Sequence, residues 1–223
     1  MKALVKHLGV ADYAKTYAAM QAFTKERDAN TPDEIWVLEH PPVFTLGLAG
    51  DASNLHSPSN QIPMVQVDRG GEITYHGPGQ LVVYLLLDLK RLGIYVKELV
   101  FRIEQALIDT LSEFGVKAER KVGAPGIYIA EQEQMPREWI GAKVAALGLK
   151  VSKSCSYHGL ALNVATDLEA FGRIHPCGYE GLKTVDMQTL GIKDNIDRIS
   201  QVLLQHLQKH LMLDGLDELD NTR

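Results

Sequence analysis

Gln80-Leu81-Val82-Val83-Tyr84-Leu85-Leu86-Leu87-Asp88 contains the longest uninterrupted apolar run of the chain, seven residues closed at both ends by polar side chains. The run is too short to cross a bilayer. Its length, its valines and its tyrosine are those of a strand buried on both faces, so a sheet must lie in it with something packed on either side. Working back from it, Val43–Gly47 and Glu34–Leu38 read as further strands, the latter stopped by Pro41-Pro42. A polar loop fills 49–63. Before them Asp12–Asn30 predicts a helix, with Tyr13, Tyr17, Met20 and Phe23 at helical spacing, Asp12 as N-cap and Thr31-Pro32 as the stop. Working forward, Lys97–Phe114 predicts the clearest helix, striped by Val100, Ile103, Leu107, Leu111 and Phe114, with Gly115 just past its end. Gly126–Ala130, Lys143–Val151 and Leu160–Val164 are short strand candidates, and Asp194–Leu213 is a second long helix. No repeat, linker or low-complexity tract divides the chain. The economical reading is one α/β domain over 1–213, a mixed sheet flanked by helices, with an acidic tail over 214–223 that should fray.

Composition narrows the function. The 223 residues carry 23 Lys+Arg against 28 Asp+Glu, a formal charge of −5 that argues against a general nucleic-acid binder. Met1–His7 breaks its apolar stretch too early for a signal-peptide core, and two cysteines make no disulfide framework. These features predict a cytoplasmic protein with no membrane association.

Candidate chemistry gathers in three places. Arg69–Gln80 packs four glycines with Arg, Tyr and His immediately before the buried strand; glycine lets a ligand approach the backbone, and the polar residues supply donors. Neither a dinucleotide fingerprint nor a phosphate loop fits there, because Val82 stands where a third glycine should be and a strand follows. Cys155 precedes an apolar strand and reads as a small buried hydrophobe. Cys177, between Pro176 and Gly178, reads as a loop cysteine that could be a nucleophile. Cys155, His158, His175 and Cys177 form a zinc-type inventory, but Cys-x2-His and His-x-Cys spacings do not match the usual finger, so no metal is expected.

Taken together, His40-Pro41-Pro42-Val43-Phe44-Thr45-Leu46-Gly47, Arg69 to Gln80, Gly123 to Tyr128, Lys143 to Leu149, Ser156 to Val164 and Pro176-Cys177-Gly178-Tyr179 resemble the octanoyltransferases of lipoate biosynthesis. The resemblance implies the mixed α/β fold of the biotin and lipoate protein ligase catalytic domains. It also implies an acyltransferase that moves an octanoyl group from octanoyl-acyl carrier protein to a lysine of lipoyl domains, those of 2-oxoacid dehydrogenase complexes and of the glycine cleavage H protein, with no cofactor. Cys177 matches the acyl-accepting cysteine and Lys143 the lysine that activates it. Arg69, Gly70, Gly71, Glu72, Ile73, Thr74, Tyr75 and His76 match one substrate-binding segment; Ala146, Leu147 and Gly148 match a second, and Gly159, Leu160 and Ala161 a third. Three departures stand out: His175 where Asn is usual, Glu72 where Gln is common, and an insertion over 131–141.

The implied chemistry needs only one cation. A free thiol has a pKa of about 8.5, an ammonium about 4 Å away at an effective dielectric of ~20 is worth roughly 4 kcal/mol, and ~1.4 kcal/mol moves a pKa by one unit. Lys143 alone could therefore hold Cys177 as thiolate. Both implied protein partners are acidic, and 137–153 places Arg137, Lys143, Lys150 and Lys153 against Glu138 alone, a candidate docking patch or a solvated strand edge. The competing readings are an ATP-dependent lipoate ligase, which needs no nucleophilic cysteine, and a non-catalytic acyl-carrier-binding module.

Overall fold

Alternate residues of the run quoted above feed two different cores. In the computed structural model, which describes residues 2–56, 61–175 and 181–219, the run forms β6 (Gln80–Leu86), every residue buried. Leu81, Val83, Leu85 and Leu87 join the larger core with Ile35, Val37, Leu99, Ile103, Leu203 and Leu207. Val82, Tyr84 and Leu86 join the smaller one with Met20, Trp36 and Leu38. A strand covered on both faces cannot alternate apolar with polar, which is why it reads as a continuous run.

β6 lies inside an eight-stranded mixed sheet. Its order is β11 (Gly215–Glu218), β1 (Lys2–Val10), β2 (Asp33–Glu39), β6, β10 (Cys155–Asn163), β9 (Lys143–Ser152), β8 (Ala124–Ile129) and β7 (Ala118–Lys121). β1 runs parallel to both its neighbours, and the remaining pairs are antiparallel. A smaller sheet orders β4 (Met64–Gln66), β3 (Val43–Leu46) and β5 (Ile73–His76). A short helix α2 (Leu89–Leu92) follows β6, and two long helices, α3 (Val96–Glu113) and α4 (Ile196–Leu211), cover the larger core. On the opposite face α1 (Tyr13–Glu26) closes the smaller one, capped by the Asp12 side chain, which accepts from the Lys15 amide at 2.9 Å.

Two helix and strand expectations shift. The helix expected over 12–30 stops at Glu26, because Arg27 turns extended and its guanidinium reaches the fully buried Asp33 carboxylate at 2.6 Å, a site Arg91 also reaches at 2.6 Å. A buried carboxylate held by two guanidinium groups outweighs one more helical turn. Within the tail expected to fray over 214–223, of which 220–223 lie outside the described residues, Gly215–Glu218 instead pairs as β11 against β1. Its acids meet bases there: Asp217 with Lys2 at 3.0 Å and Glu218 with His7 at 3.0 Å.

Candidate active site

Where the two sheets meet, a cavity of about 400 Å³ opens over β6, β9 and β10, within the range of small-molecule sites, roughly 300–1,000 Å³. Three stretches of sequence converge on it. The loop and strand from Arg69 to His76 form one wall, with Arg69, Gly70, Gly71, Glu72, Ile73, Thr74 and His76 on the lining. Ala146, Leu147 and Gly148 of β9 and Gly159, Leu160 and Ala161 of β10 form the floor. The two strands are in register here: Gly159 pairs with Gly148, Leu160 with Leu147 and Ala161 with Ala146. Tyr75 points the other way, into a cluster with Phe44, Ile73 and Phe171, so of the fourteen residues expected to bind substrate it is the one off the lining.

The wall is held by its own arginine. Arg69 donates to the Thr45 carbonyl at 2.8 Å and hydroxyl at 2.9 Å, to the Glu72 carbonyl at 2.9 Å and to the Gly70 carbonyl at 3.0 Å. These bonds fold 69–72 into a tight loop tied to β3, and the Gly70 amide donates to the Leu149 carbonyl at 3.0 Å. Gly148 lies beneath it. A side-chain carbon there would meet both the Arg69 Cδ and the Gly70 carbonyl at 3.0 Å, so anything larger than glycine would push the loop away from β9.

Lys143 begins β9 and is buried, lining the cavity at the opposite end of the floor from the β9–β10 turn. Its Nζ donates to the Pro125 carbonyl at 3.0 Å and stands 5.5 Å from the centre of the Tyr128 ring. Gly126 makes this possible. A Cβ at that residue would fall 2.4 Å from the Lys143 Cε and 2.7 Å from the Ala145 carbonyl, and its φ of +131° disfavours any side chain. Beyond it, the Gly126 amide donates to the buried Glu104 of α3 at 3.1 Å, and Arg120 closes on the same carboxylate at 3.1 Å. The lysine's backbone is pinned too: its amide donates to Lys183 and its carbonyl accepts from Val185.

Deeper polar residues are mostly neutral histidines. Burial pushes His76 down to about 3, helped by His40 nearby, and its ring bonds the Gln80 amide oxygen at 2.7 Å. Gln80 in turn donates to Asn163 at 2.9 Å. His158 lies stacked between Tyr17 and Tyr157 with its Nε2 3.1 Å from Asp68. Burial pushes its pKa down to about 4, although the Asp68 carboxylate pulls the other way. The neutral ring therefore donates Nε2–H to Asp68 and leaves Nδ1 as an acceptor. Its φ of +59° in the middle of β10 is rare for a non-glycine residue. The sequence singled out His158 only as a possible metal ligand. Its place on the cavity wall, like that of Val96 and Val100 of α3, depends on tertiary packing that no local pattern announces.

Cys155 is buried at the far end of β10, paired with Ser152, and burial pushes its thiol up. From Lys143 to Ser152 the strand runs nine steps, about 30 Å at ~3.3 Å per residue. Cys177 falls at 176–180, outside the described residues. Phe171, before the undescribed stretch, and Thr184, after it, line the cavity, whereas the nearer His175 and Gly181 do not. His175, two residues before it, donates its amide to the Asn54 carbonyl at 3.0 Å and stacks on His56 at 4.6 Å. The expected basic patch over 137–153 is not one surface: Lys143 is buried in the cavity, while Lys150 and Lys153 lie toward the other end of β9. The 131–141 insertion forms a loop carrying a short helical turn at Arg137–Trp139.

Comparison with known proteins places this geometry. The family described as Lipoyl protein ligase A/B catalytic domain matches residues 12–210. An octanoyltransferase from Polynucleobacter asymbioticus is 83% identical over 212 residues, 95% of this chain and 99% of its own length. Among solved structures, a bi-partite lipoate protein ligase analysed with its E2 lipoyl domain, from Thermoplasma acidophilum, superposes with a TM-score of 0.75 at 15% identity, covering 99% of this chain and 88% of that one. The biotin protein ligase from Aquifex aeolicus in complex with biotin and ATP superposes with a TM-score of 0.53 at 12% identity, covering 95% and 70%.

Proposed function

The chain belongs to the lipoyl protein ligase A/B catalytic-domain family, and from that premise we propose that Cys177 and Lys143 carry its reaction in two half-steps. It is an acyltransferase that moves octanoyl groups in lipoate biosynthesis. The observation that carries the mechanism is a buried lysine amine at the end of an apolar cavity. Few structural roles require an ammonium to be buried there.

In the first step the Cys177 thiolate attacks the thioester carbonyl of octanoyl-acyl carrier protein. A new S–C bond forms, the carrier's S–C bond breaks, and the departing thiolate takes a proton from Lys143. In the second step the ε-amine of a lysine on a lipoyl domain attacks the acyl-cysteine. The N–C bond forms, the C–S bond breaks, and neutral Lys143 accepts the amine's proton, which restores the thiolate and ammonium. Val82, Leu147, Leu160 and Ala161 give part of the cavity an apolar lining suited to the octanoyl tail, worth up to about 6 kcal/mol at ~0.8 kcal/mol per buried methylene. Exclusion of water there lets aminolysis win over hydrolysis. The acceptors are lipoyl domains of 2-oxoacid dehydrogenase complexes and the glycine cleavage H protein. The cysteine must stay reduced to act, which assigns the reaction to the cytoplasm; among the described residues no helix is long and apolar enough to cross a membrane.

The test is transfer in a mixture of octanoyl-acyl carrier protein, apo lipoyl domain and this chain. Octanoylation of the lipoyl domain without ATP is expected. Transfer only when free octanoate and ATP are supplied would make the chain a ligase instead.

A further inference from the structure

On the outer side of the helix pair, away from the cavity, two histidines one turn apart on α4 face two acids one turn apart on α3. We infer that Asp109, His206 and His210 form a site for one divalent d-block cation of the zinc class, bridging α3 to α4. Their ligand atoms lie within 4.8 Å of one another. His210 Nε2 is 2.7 Å from Asp109 Oδ2, His206 Nδ1 is 3.9 Å from the same oxygen, and His206 Nε2 is 2.6 Å from Glu113 Oε1.

Three features make this a built site and more than a pair of surface ion pairs. The i, i+4 spacing sets both imidazoles on one helical face, the arrangement that lets two histidines share a metal. Asp109 is oriented from behind: Gln105 donates to its Oδ1 at 2.7 Å, leaving Oδ2 toward the histidines, as outer partners of metal-ligating carboxylates do. Burial is also intermediate, with side-chain exposures of 14% at His206, 19% at His210 and 27% at Asp109, so the ligands are held yet reachable. Zn–N and Zn–O bonds of about 2.0–2.2 Å need the carboxylate and rings to part slightly from their present hydrogen bonds. Two imidazoles and a carboxylate suit Zn²⁺, Co²⁺ or Ni²⁺ over Mg²⁺ or Ca²⁺. Lys209, whose Nζ stands 3.9 Å from Asp109 Oδ2, is exposed and can swing away. Bound there, the ion would fix α3, whose first turns carry the cavity-lining Val96 and Val100, against α4.

The test uses the full chain with Co²⁺ as a spectroscopic probe and Zn²⁺ as competitor. One equivalent of Co²⁺ should bind with visible d–d bands, show no sulfur-to-cobalt band, and leave when Zn²⁺ is added. Zn²⁺ should raise the thermal midpoint. In Asp109→Asn, and separately in His206→Asn with His210→Asn, affinity should drop by at least about tenfold. A sulfur-to-cobalt band, absence of binding to the wild-type chain, or unchanged affinity in these variants would overturn the site. The spectrum of the wild-type chain decides ligand identity even where a variant folds poorly.

Discussion

Lys143 keeps its amine at the cavity because Gly126 leaves the space for it. Replacing that glycine by alanine puts a methyl group into the lysine stem and the Ala145 carbonyl while forcing a side chain onto a φ of +131°. Gly126→Ala is therefore expected to lower transfer by one to two orders of magnitude, the scale lost when a catalytic group is misplaced by about 1 Å. Steady-state transfer, with the melting temperature as control for folding, checks it. Lys143 itself has two duties in the proposal, charge and proton. Lys143→Met should lower both half-reactions by about 10²–10⁴-fold. Lys143→Arg keeps the charge but cannot release a proton, so self-acylation should survive better than passage to the lipoyl domain; single-turnover measurement of each step separates the two. Equal loss in both steps would leave Lys143 with charge and geometry alone, and wild-type transfer in the arginine variant would remove it as the base.

Among the elements, α3 supports the site from behind its wall. Its buried Glu104 holds the Gly126 amide and Arg120 together. Glu104→Ala leaves a buried amide unpaired at about 1–3 kcal/mol, and differential scanning calorimetry should show a lower midpoint with reduced kcat, because the strand carrying Gly126 loosens beside Lys143. The sequence made some elements legible and others not, for physical reasons. β6 announces itself as an unbroken apolar run because both its faces are covered, and α3 because its core residues recur at helical spacing. The stripe expected on α3 put Val100 in the core, but Val100 lines the cavity and Leu99 takes the core position. β5 was hidden inside a glycine-rich segment, since Ile73–His76 is only four residues long and three of the four line a ligand cavity. β11 was hidden by its acids, whose paired bases, Lys2 and His7, come from the other end of the chain. The residues around the cavity were legible as motifs; that Tyr75 turns into the aromatic cluster was not, because its packing against Phe44 and Phe171, from distant parts of the chain, decides it.

Across the whole molecule, burial of neutral histidines sets the response to acid. The unfolded chain takes up a proton at each histidine near pH 6.5, whereas the folded chain resists at His158 until about 4 and at His76 until about 3, so stability falls as pH drops through 6.5 toward those values. Each should contribute on the order of 2 kcal/mol of loss between pH 7 and pH 5, read from urea midpoints; equal stability at the two pH values would mean that both histidines charge freely in the folded state. Asp68, held below the usual carboxylate range by hydrogen bonds from Tyr157 and His158 despite its burial, adds a separate loss only at lower pH. The central claim concerns which cysteine carries the acyl group, and mass spectrometry reads it directly. After mixing with octanoyl-acyl carrier protein and no lipoyl domain, the intact chain should gain one octanoyl group, and peptide mapping should find it on Cys177. Cys177→Ser should abolish the adduct and Cys155→Ser should retain it. An adduct on Cys155, or transfer to the lipoyl domain at wild-type rate by the Cys177→Ser chain, would contradict the account.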